Sequence, residues 1–388
     1  MNSWAALLTP PLPGAVAVWA VRGHDSWHRI ASSMKPLMGR DLEHGVIPTH
    51  ARLTRWNILS GTQGDEVLVI PRERYPIPWF EIHGHSGPEL LRCQTHWFVT
   101  NGFRIATPES FGFWVEKDRL AGEVNHCLTK VLTRKGVEGI LGQSNLCRST
   151  LGDCSGWLER GMWNPALEAI NKMARGYLQA KAWTSGWKVA LCGPPNAGKS
   201  TLLNALLGTG RSLVSSLPGT TRDAVHAMTV LDGWVVELID MAGWRQSEDP
   251  LELAGIKLGK ALIESADLVV MLSEDGPNSW NRSDSFKLKN AIHVWTKSDL
   301  RQSVANDENL VLNVSAHTGR GIDELAKRIV DNLTDNGNLP SGPVAFSSLL
   351  KESMIQAIAA INSRKFDEAA RIIRQWLEPV PQPTEVDQ

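Results

Sequence analysis

Tyrosine and cysteine are scarce in this chain. Two tyrosines stand against sixteen tryptophans in 388 residues, so indole supplies most of the large aromatic volume. Indole fills a core well when its N–H finds an acceptor, and core filling rather than a stacking surface is the expected use. The five cysteines, Cys93, Cys127, Cys147, Cys154 and Cys192, are odd in number and form no CxxC pair. That pattern signals neither a disulfide framework nor a zinc module, and fits a reducing cytoplasm. An excess of one charge is lacking too: 40 basic residues meet 41 acidic ones, for a formal charge of −1. A general nucleic-acid coat and a polybasic membrane anchor are therefore not expected. Nor is there a long apolar run. The opening 23 residues are apolar in flavour but lack a basic leader, and Pro10, Pro11 and Pro13 interrupt them. They read as neither signal peptide nor span, so the expectation is a soluble cytoplasmic protein that does not engage a membrane.

What is present is the composition of a multidomain globular chain, 42% hydrophobic and 21% charged, long enough for two or three domains. Residues 1–119 mix short apolar runs with turn residues and read as an α+β domain, with "DEVLVI" (65–70) and "PWFEIHG" (78–84) as strands. Residues 120–185 turn helical, as in "EVNHCLTKVLTRKGVEGIL" and "ALEAINKMARGYLQA". Residues 186–334 alternate strands with helices, the mark of a doubly wound parallel sheet. Its candidate strands are "WKVALC", "WVVELID", "DLVVML", "AIHVWT" and "LVLNVSA". Residues 335–388 hold the rest of a linker, two amphipathic helices and a Pro-rich polar tail that reads as disordered. Helices on both sides imply that the α/β block is inserted into a helical domain.

The chemistry concentrates in that block. "WKVALC" runs into 193-GPPNAGKST-201, which fits GxxxxGK[ST]. Gly193 and Gly198 let backbone N–H groups close on phosphates, with Asn196 and Ala197 between them, and the helix starting near Ser200 and Thr201 adds its positive end. Lys199 would reach the β and γ phosphates and the Ser200 hydroxyl would bind Mg²⁺. Then 218-PGTTRD-223 offers two hydroxyls in a switch-like loop, and "VVELIDMAG" ends in Asp240-x-x-Gly243. There Asp240 can hold the Mg²⁺ shell and the Gly243 amide can meet the γ-phosphate. "HVWTKSDL" places Thr296, Lys297 and Asp299 at a strand end, and "LNVSAHTG" does the same for Ser315 and Ala316. The Asp299 carboxylate can accept N1–H and the exocyclic amine of guanine, a pair adenine does not present. In this order the elements specify GTP. One position stands out: Trp244 follows Gly243 where many small GTPases carry a water-orienting glutamine, so an isolated domain should be slow. Glu252 is the nearest carboxylate of interest, with a helix-start glutamate as its plain structural reading.

GPPNAGKST, GTTRD, DMAG and TKSD together resemble the bacterial tRNA-modification GTPases of the MnmE (TrmE) family. The flanks extend the resemblance: "TPPLPGAVAVWAVRG" is similar to that family's opening, 81-EIHGHSG-87 to its E-x-x-G-H-G-G turn, and "GFRIATPESF" to its G-x-R-x-A-x-P-G-E-F segment. The resemblance implies an N-terminal folate-binding-like α+β domain, a discontinuous helical domain and an inserted Ras-like P-loop G domain. It implies a homodimer formed through the N-terminal domains and GTP hydrolysis when two G domains meet around K⁺. It assigns K⁺ to Asn196, Ser215, Leu217 and Thr220, and Mg²⁺ to Ser200 with Thr221. Glu252 becomes the water-orienting catalytic glutamate, acting with Lys199. A tetrahydrofolate derivative is implied near Glu81 and Arg119. A flavoprotein partner of the MnmG type, and tRNA through that complex, complete the implied assembly.

Several positions depart from the family pattern. No cysteine follows Cys192, whereas the family ends in Cys-Ile-Gly-Lys. The early family arginine aligns with Ala20, with Arg22 close by, and Met241 and Thr296 replace the usual Thr and Asn. The pair His83-x-His85 lacks a third ligand spaced nearby, so no metal is expected there. Lys130, Arg134, Lys135 and Arg148 read as a solvated helical face. Two functions remain in view: a K⁺-stimulated GTPase of tRNA wobble-uridine modification, and a GTP-driven binding switch that has lost the modification centre.

Overall fold

The computed structural model describes residues 3–11, 14–37, 47–58, 64–73, 77–209, 224–241, 261–274, 290–300 and 312–380. They form two compact units, one from residues 1–122 with 378–388 and one from residues 123–377.

The first unit is built on seven strands: β1 (Ser3–Leu7), β2 (Val16–Arg22), β3 (Met34–Pro36), β4 (Arg52–Trp56), β5 (Asp65–Glu73), β6 (Trp79–His85) and β7 (Phe103–Ala106). Their order is β3-β4-β5-β6-β2-β1-β7, antiparallel except for the parallel pair β1–β7. The expected strands at 65–70 and 78–84 are β5 and β6, and the apolar opening supplies β1 and β2. Alternation along the strands sends Ala5, Trp19, Val21, Val67, Val69, Phe80 and Ile82 to one face. Helices α1 (Ser26–Ala31) and α2 (Pro88–Thr100) cover it with Trp27, Ile30 and Phe98. The opposite face carries Trp4, Ala6 and Ala20 under Phe111 and Trp114 of α3 (Pro108–Val115). Indole is used here as core volume, and at two positions its N–H is satisfied: Trp19 donates to Gln94 at 2.8 Å and Trp56 to Ser33 at 3.2 Å, whereas the buried Trp4 N–H has no acceptor among the described residues.

Helix α4 (Arg119–Leu128) leads to α5 (Arg134–Glu159), α6 (Trp163–Arg175) and α7 (Tyr177–Lys181). The helical pattern expected to run through 123–141 is broken between Leu128 and Arg134. Thr129, Val131 and Thr133 are β-branched, and the Thr133 hydroxyl caps α5 by accepting from the Gly136 amide at 3.2 Å. The second unit then forms a six-stranded sheet from β8 (Trp187–Cys192), β9 (Ala224–Leu231), β10 (Trp234–Met241), β11 (Leu268–Ser273), β12 (Ala291–Trp295) and β13 (Leu312–Asn313). Its order is β13-β12-β11-β8-β10-β9. All pairs are parallel except β9–β10, so the expected fully parallel sheet gains an antiparallel edge. The reason is a local turn: Asp232 and Gly233 take φ of 45° and 80°, the left-handed pair that a two-residue hairpin requires. Helices α8 (Lys199–Thr209) and α9 (Ile322–Leu333) belong to this block, and α10 (Ser348–Asn362) and α11 (Phe366–Arg374) pack with α5 and α6. Among the described residues no helix is long and apolar enough to cross a membrane.

The α/β block meets the helices of its own unit at two charged joints. Lys181 binds Asp267 at 2.6 Å, and that carboxylate also accepts the Lys188 amide at 2.8 Å. At the hairpin, Lys135 donates to the Asp232 carbonyl at 2.8 Å and the Gly337 carbonyl at 3.2 Å while lying over the Trp234 ring. Lys135 is therefore not a member of a solvated basic face. Trp234 itself stacks on Trp187, with centroids 4.9 Å apart, and its N–H donates to Gly337 at 3.3 Å. Trp234→Ala removes a buried ring from this joint and is expected to destabilise the second unit by about 3–5 kcal/mol, read from urea denaturation.

Candidate nucleotide site

The parallel strands β8, β10, β11, β12 and β13 all deliver their carboxyl ends to one edge of the sheet. From β8 the chain goes first to one side, through β9 and β10, and later to the other, through β11 to β13. The loop after β8 thus sits at the point where strand order reverses, the place where open α/β sheets bind ligands.

That loop is shaped by two glycines with different duties. A Cβ on Gly193 would lie 2.6 Å from the Leu272 carbonyl, so only glycine lets the loop pass this close to β11. Gly198 has open space around it but takes φ +85°, which side chains rarely adopt. Asn196 sits at φ 65°, a region asparagine tolerates better than most residues. Ala197 is buried, while Asn196, Ser200 and Thr201 are exposed. Lys199 bends back so that its ammonium donates to the carbonyls of Gly193 and Pro194, each at 3.1 Å. Burial pulls its pKa below the usual lysine value, with Asp240 acting in the opposite sense. Ser200 donates its hydroxyl proton to the Asp240 carboxylate, which joins the first turn of α8 to the end of β10. A hydroxyl, a carboxylate and a lysine ammonium gathered at a helix N-terminus form a donor set suited to a magnesium-bound polyphosphate.

The second half of the site hangs on β12 and β13. Thr296 is buried, and its hydroxyl donates to Ala197 at 2.8 Å and approaches Ser273 at 3.2 Å. Lys297 takes φ 57°, in the left-handed region that costs an L residue roughly 1–2 kcal/mol. The Ser298 amide holds the turn by donating to Val314 at 3.1 Å. Asp299 is exposed, and a hydrogen bond from Ser315 holds its carboxyl below the usual range, helped by His317. Ser315 is fully buried; its hydroxyl also accepts the Thr318 amide at 3.2 Å. Ala316 follows at the same strand end.

The structure therefore brings Gly193, Asn196, Ala197, Gly198, Lys199, Ser200, Thr201, Asp240, Thr296, Lys297, Asp299, Ser315 and Ala316 to one edge of one sheet. Gly243, Glu252, Ser215, Leu217, Thr220 and Thr221 lie outside the described residues. Glu81 stands on β6 of the first unit, where Arg72 grips it with two hydrogen bonds of 2.9 Å and His83 adds one of 2.8 Å. Burial would raise its pKa, but these partners hold it below the usual carboxylate value. Arg119 opens α4, its amide donating to Glu378 at 3.0 Å. Sequence reasoning missed Glu274, which directly follows β11 and pairs with the Lys297 ammonium. Its only signal was an acidic residue directly after an apolar strand.

A family model described as 50S ribosome-binding GTPase matches residues 188–314, the span of this site. The tRNA modification GTPase MnmE of Moorella thermoacetica is 28% identical over 97% of this chain and 90% of its own length. The MnmE of Lawsonia intracellularis is also 28% identical, over 83% of this chain and 79% of its own. That of Agrobacterium fabrum reaches 35% over 52% of this chain and 46% of its own. Among solved structures, the G domain of the T. maritima FeoB iron transporter is similar over 38% of this chain and 99% of its own, at 28% identity and a TM-score of 0.30, too low to add to the topology above. With a phosphate loop at the strand-order reversal and an aspartate-bearing turn beside it, the chain is a GTP hydrolase, and it is similar along nearly its whole length to tRNA modification GTPases of the MnmE type.

Proposed function

We propose that the chain is a K⁺-stimulated, Mg²⁺-dependent GTPase that acts as a homodimer in the modification of tRNA wobble uridines. The observation that carries the nucleotide half is the convergence of Lys199, Ser200 and Asp240 with Asp299 and Ser315 on one sheet edge. Lys199 and the loop amides hold the phosphates. Ser200, with Asp240 behind it, holds Mg²⁺, and Thr221 joins them. Thr296 braces the loop, and Asp299, aimed by Ser315, accepts the two guanine N–H groups while the Ala316 amide faces the guanine oxygen. Gly243 supplies an amide at the γ-phosphate.

K⁺ is assigned to Asn196, Ser215, Leu217 and Thr220, where a fixed cation stabilises charge that develops on the phosphates. Glu252 orients the attacking water in the absence of a glutamine at Trp244. The tRNA half rests on the family, with a flavoprotein of the MnmG type as partner. The domain limits 1–119, 120–185, 186–334 and 335–388 belong to the same reading. A tetrahydrofolate derivative near Glu81 and Arg119 is the one-carbon source it implies; Glu81 would have to release Arg72 or His83 to accept N–H groups from a pterin. The whole reading is tested by mass spectrometry of tRNA from a bacterium lacking its own family member and co-expressing this chain with its flavoprotein. Restored wobble-uridine modification supports it; none, with GTP turnover intact and the partner soluble, leaves a GTP-driven binding switch instead.

Three further outcomes are expected. Asp299→Asn should invert the preference of the site from GTP to xanthosine triphosphate, because the amide donates where the carboxylate accepted; competition binding reads the ranking, and an unchanged order removes Asp299 from base recognition. Turnover should be several-fold faster in K⁺ than in Na⁺, and Glu252→Ala should cut it by roughly 100-fold or more with GTP affinity retained. Equal rates in the two salts would remove the cation site, and unchanged turnover would return Glu252 to a helix-start charge.

A further inference from the structure

Asp299 can read guanine only while its carboxylate oxygens are open to the base, and a lysine stands two residues away. Lys297 and Asp299 flank Ser298 at the start of the short turn Ser298–Leu300, which puts a flexible ammonium close in sequence to the carboxylate. The Lys297 ammonium is taken by the Glu274 carboxylate, its one carboxylate partner among the described residues. Asp299 instead receives the Ser315 hydroxyl and the through-space influence of His317.

The backbone enforces this division. Lys297 is held in the left-handed region, its carbonyl accepts the Leu300 amide at 3.1 Å, and the neighbouring Ser298 amide is tied to Val314. Glu274 is fixed as well: its own carbonyl accepts the Trp295 indole N–H at 3.1 Å, across the register that sets Ser273 beside Trp295. Both members of the pair are about one-third exposed, so the pairing directs a side chain rather than supporting the fold.

We propose that Glu274 is a specificity-determining positioning residue: it draws Lys297 away from Asp299 and so keeps the base-reading carboxylate free for guanine. This rests on the assignment of Asp299 to the guanine edge. Without Glu274, the Lys297 ammonium turns to Asp299, competes with the two guanine N–H groups, and presents a donor that suits the carbonyl of a xanthine base.

The test is a double-mutant cycle on the full chain, reading affinities for GDP and xanthosine diphosphate by competition with a fluorescent guanine nucleotide. Glu274→Gln keeps size and shape and should weaken GDP roughly tenfold, the worth of one charge-assisted hydrogen bond, with little change for xanthosine diphosphate. Lys297→Met keeps the apolar stem without the charge; in that background Glu274→Gln should have no further effect. Glu274→Asp should restore most of the discrimination. A merely structural role predicts that Glu274→Gln weakens both nucleotides alike and does so equally with Met at 297, and that result, or full GDP affinity in Glu274→Gln, overturns the proposal. Asp299→Asn is measured alongside. If it fails to invert the ranking, the base reading falls and this inference with it; if it inverts while the cycle shows no coupling, the inference alone falls.

Discussion

One buried hydroxyl ties the nucleotide site together. Thr296 leaves β12 and donates its proton to the Ala197 carbonyl at 2.8 Å, so the turn that carries Asp299 is anchored to the loop that carries Lys199. Ala197 is itself fully buried and cannot swing out to find another donor. An orphaned carbonyl there would cost about 1–3 kcal/mol, which makes the bond an effective latch. A hydroxyl with a single proton serves this purpose at Thr296.

The electrostatics follow from the same compact placement. Lys199 is buried, which lowers its pKa, and it is compensated by two carbonyls and the field of Asp240. An ammonium in such surroundings attracts an anion more strongly than one in bulk water. Around the turn Ser298–Leu300 the charges are sorted into pairs: Lys297 with Glu274, Asp299 with the Ser315 hydroxyl and near His317. The hairpin β9–β10 reaches from this chemistry to the helices of its unit. One end of β10 carries Asp240, and the turn before its other end is held by Lys135. A continuous strand thus runs from Asp240 to a joint with α5.

Much of this was legible because it depends on local chemistry at strand ends. GPPNAGKST needs its glycines for reasons that a single loop contains: one close pass by Leu272 and one left-handed residue. The strands of the nucleotide block are nearly unbroken apolar runs because parallel strands are buried on both faces. The edge strand β9 escaped notice for the complementary reason. "AVHAMTVL" carries His226 and alternates weakly, yet the Asp-Gly turn that follows was a usable hairpin signal. The break after Leu128 was likewise written in Thr129, Val131 and Thr133, but read against a strong helical period on either side.

What no local pattern discloses is a partner far along the chain. Lys135 looks like one of several basic residues on a helix until its ammonium is seen between Asp232 and Gly337. Glu81 looks like an open carboxylate until Arg72 and His83 are found on it. Glu274 looks like the polar start of a loop until Lys297 reaches it. In each case the residue type is ordinary and the sequence separation is set by topology rather than by a motif. Charge at such positions is informative only after the strands that bring it together are known. Motifs at strand ends could therefore place this chain among nucleotide hydrolases, while the pairing of Glu274 with Lys297 emerges from the register of β11 against β12.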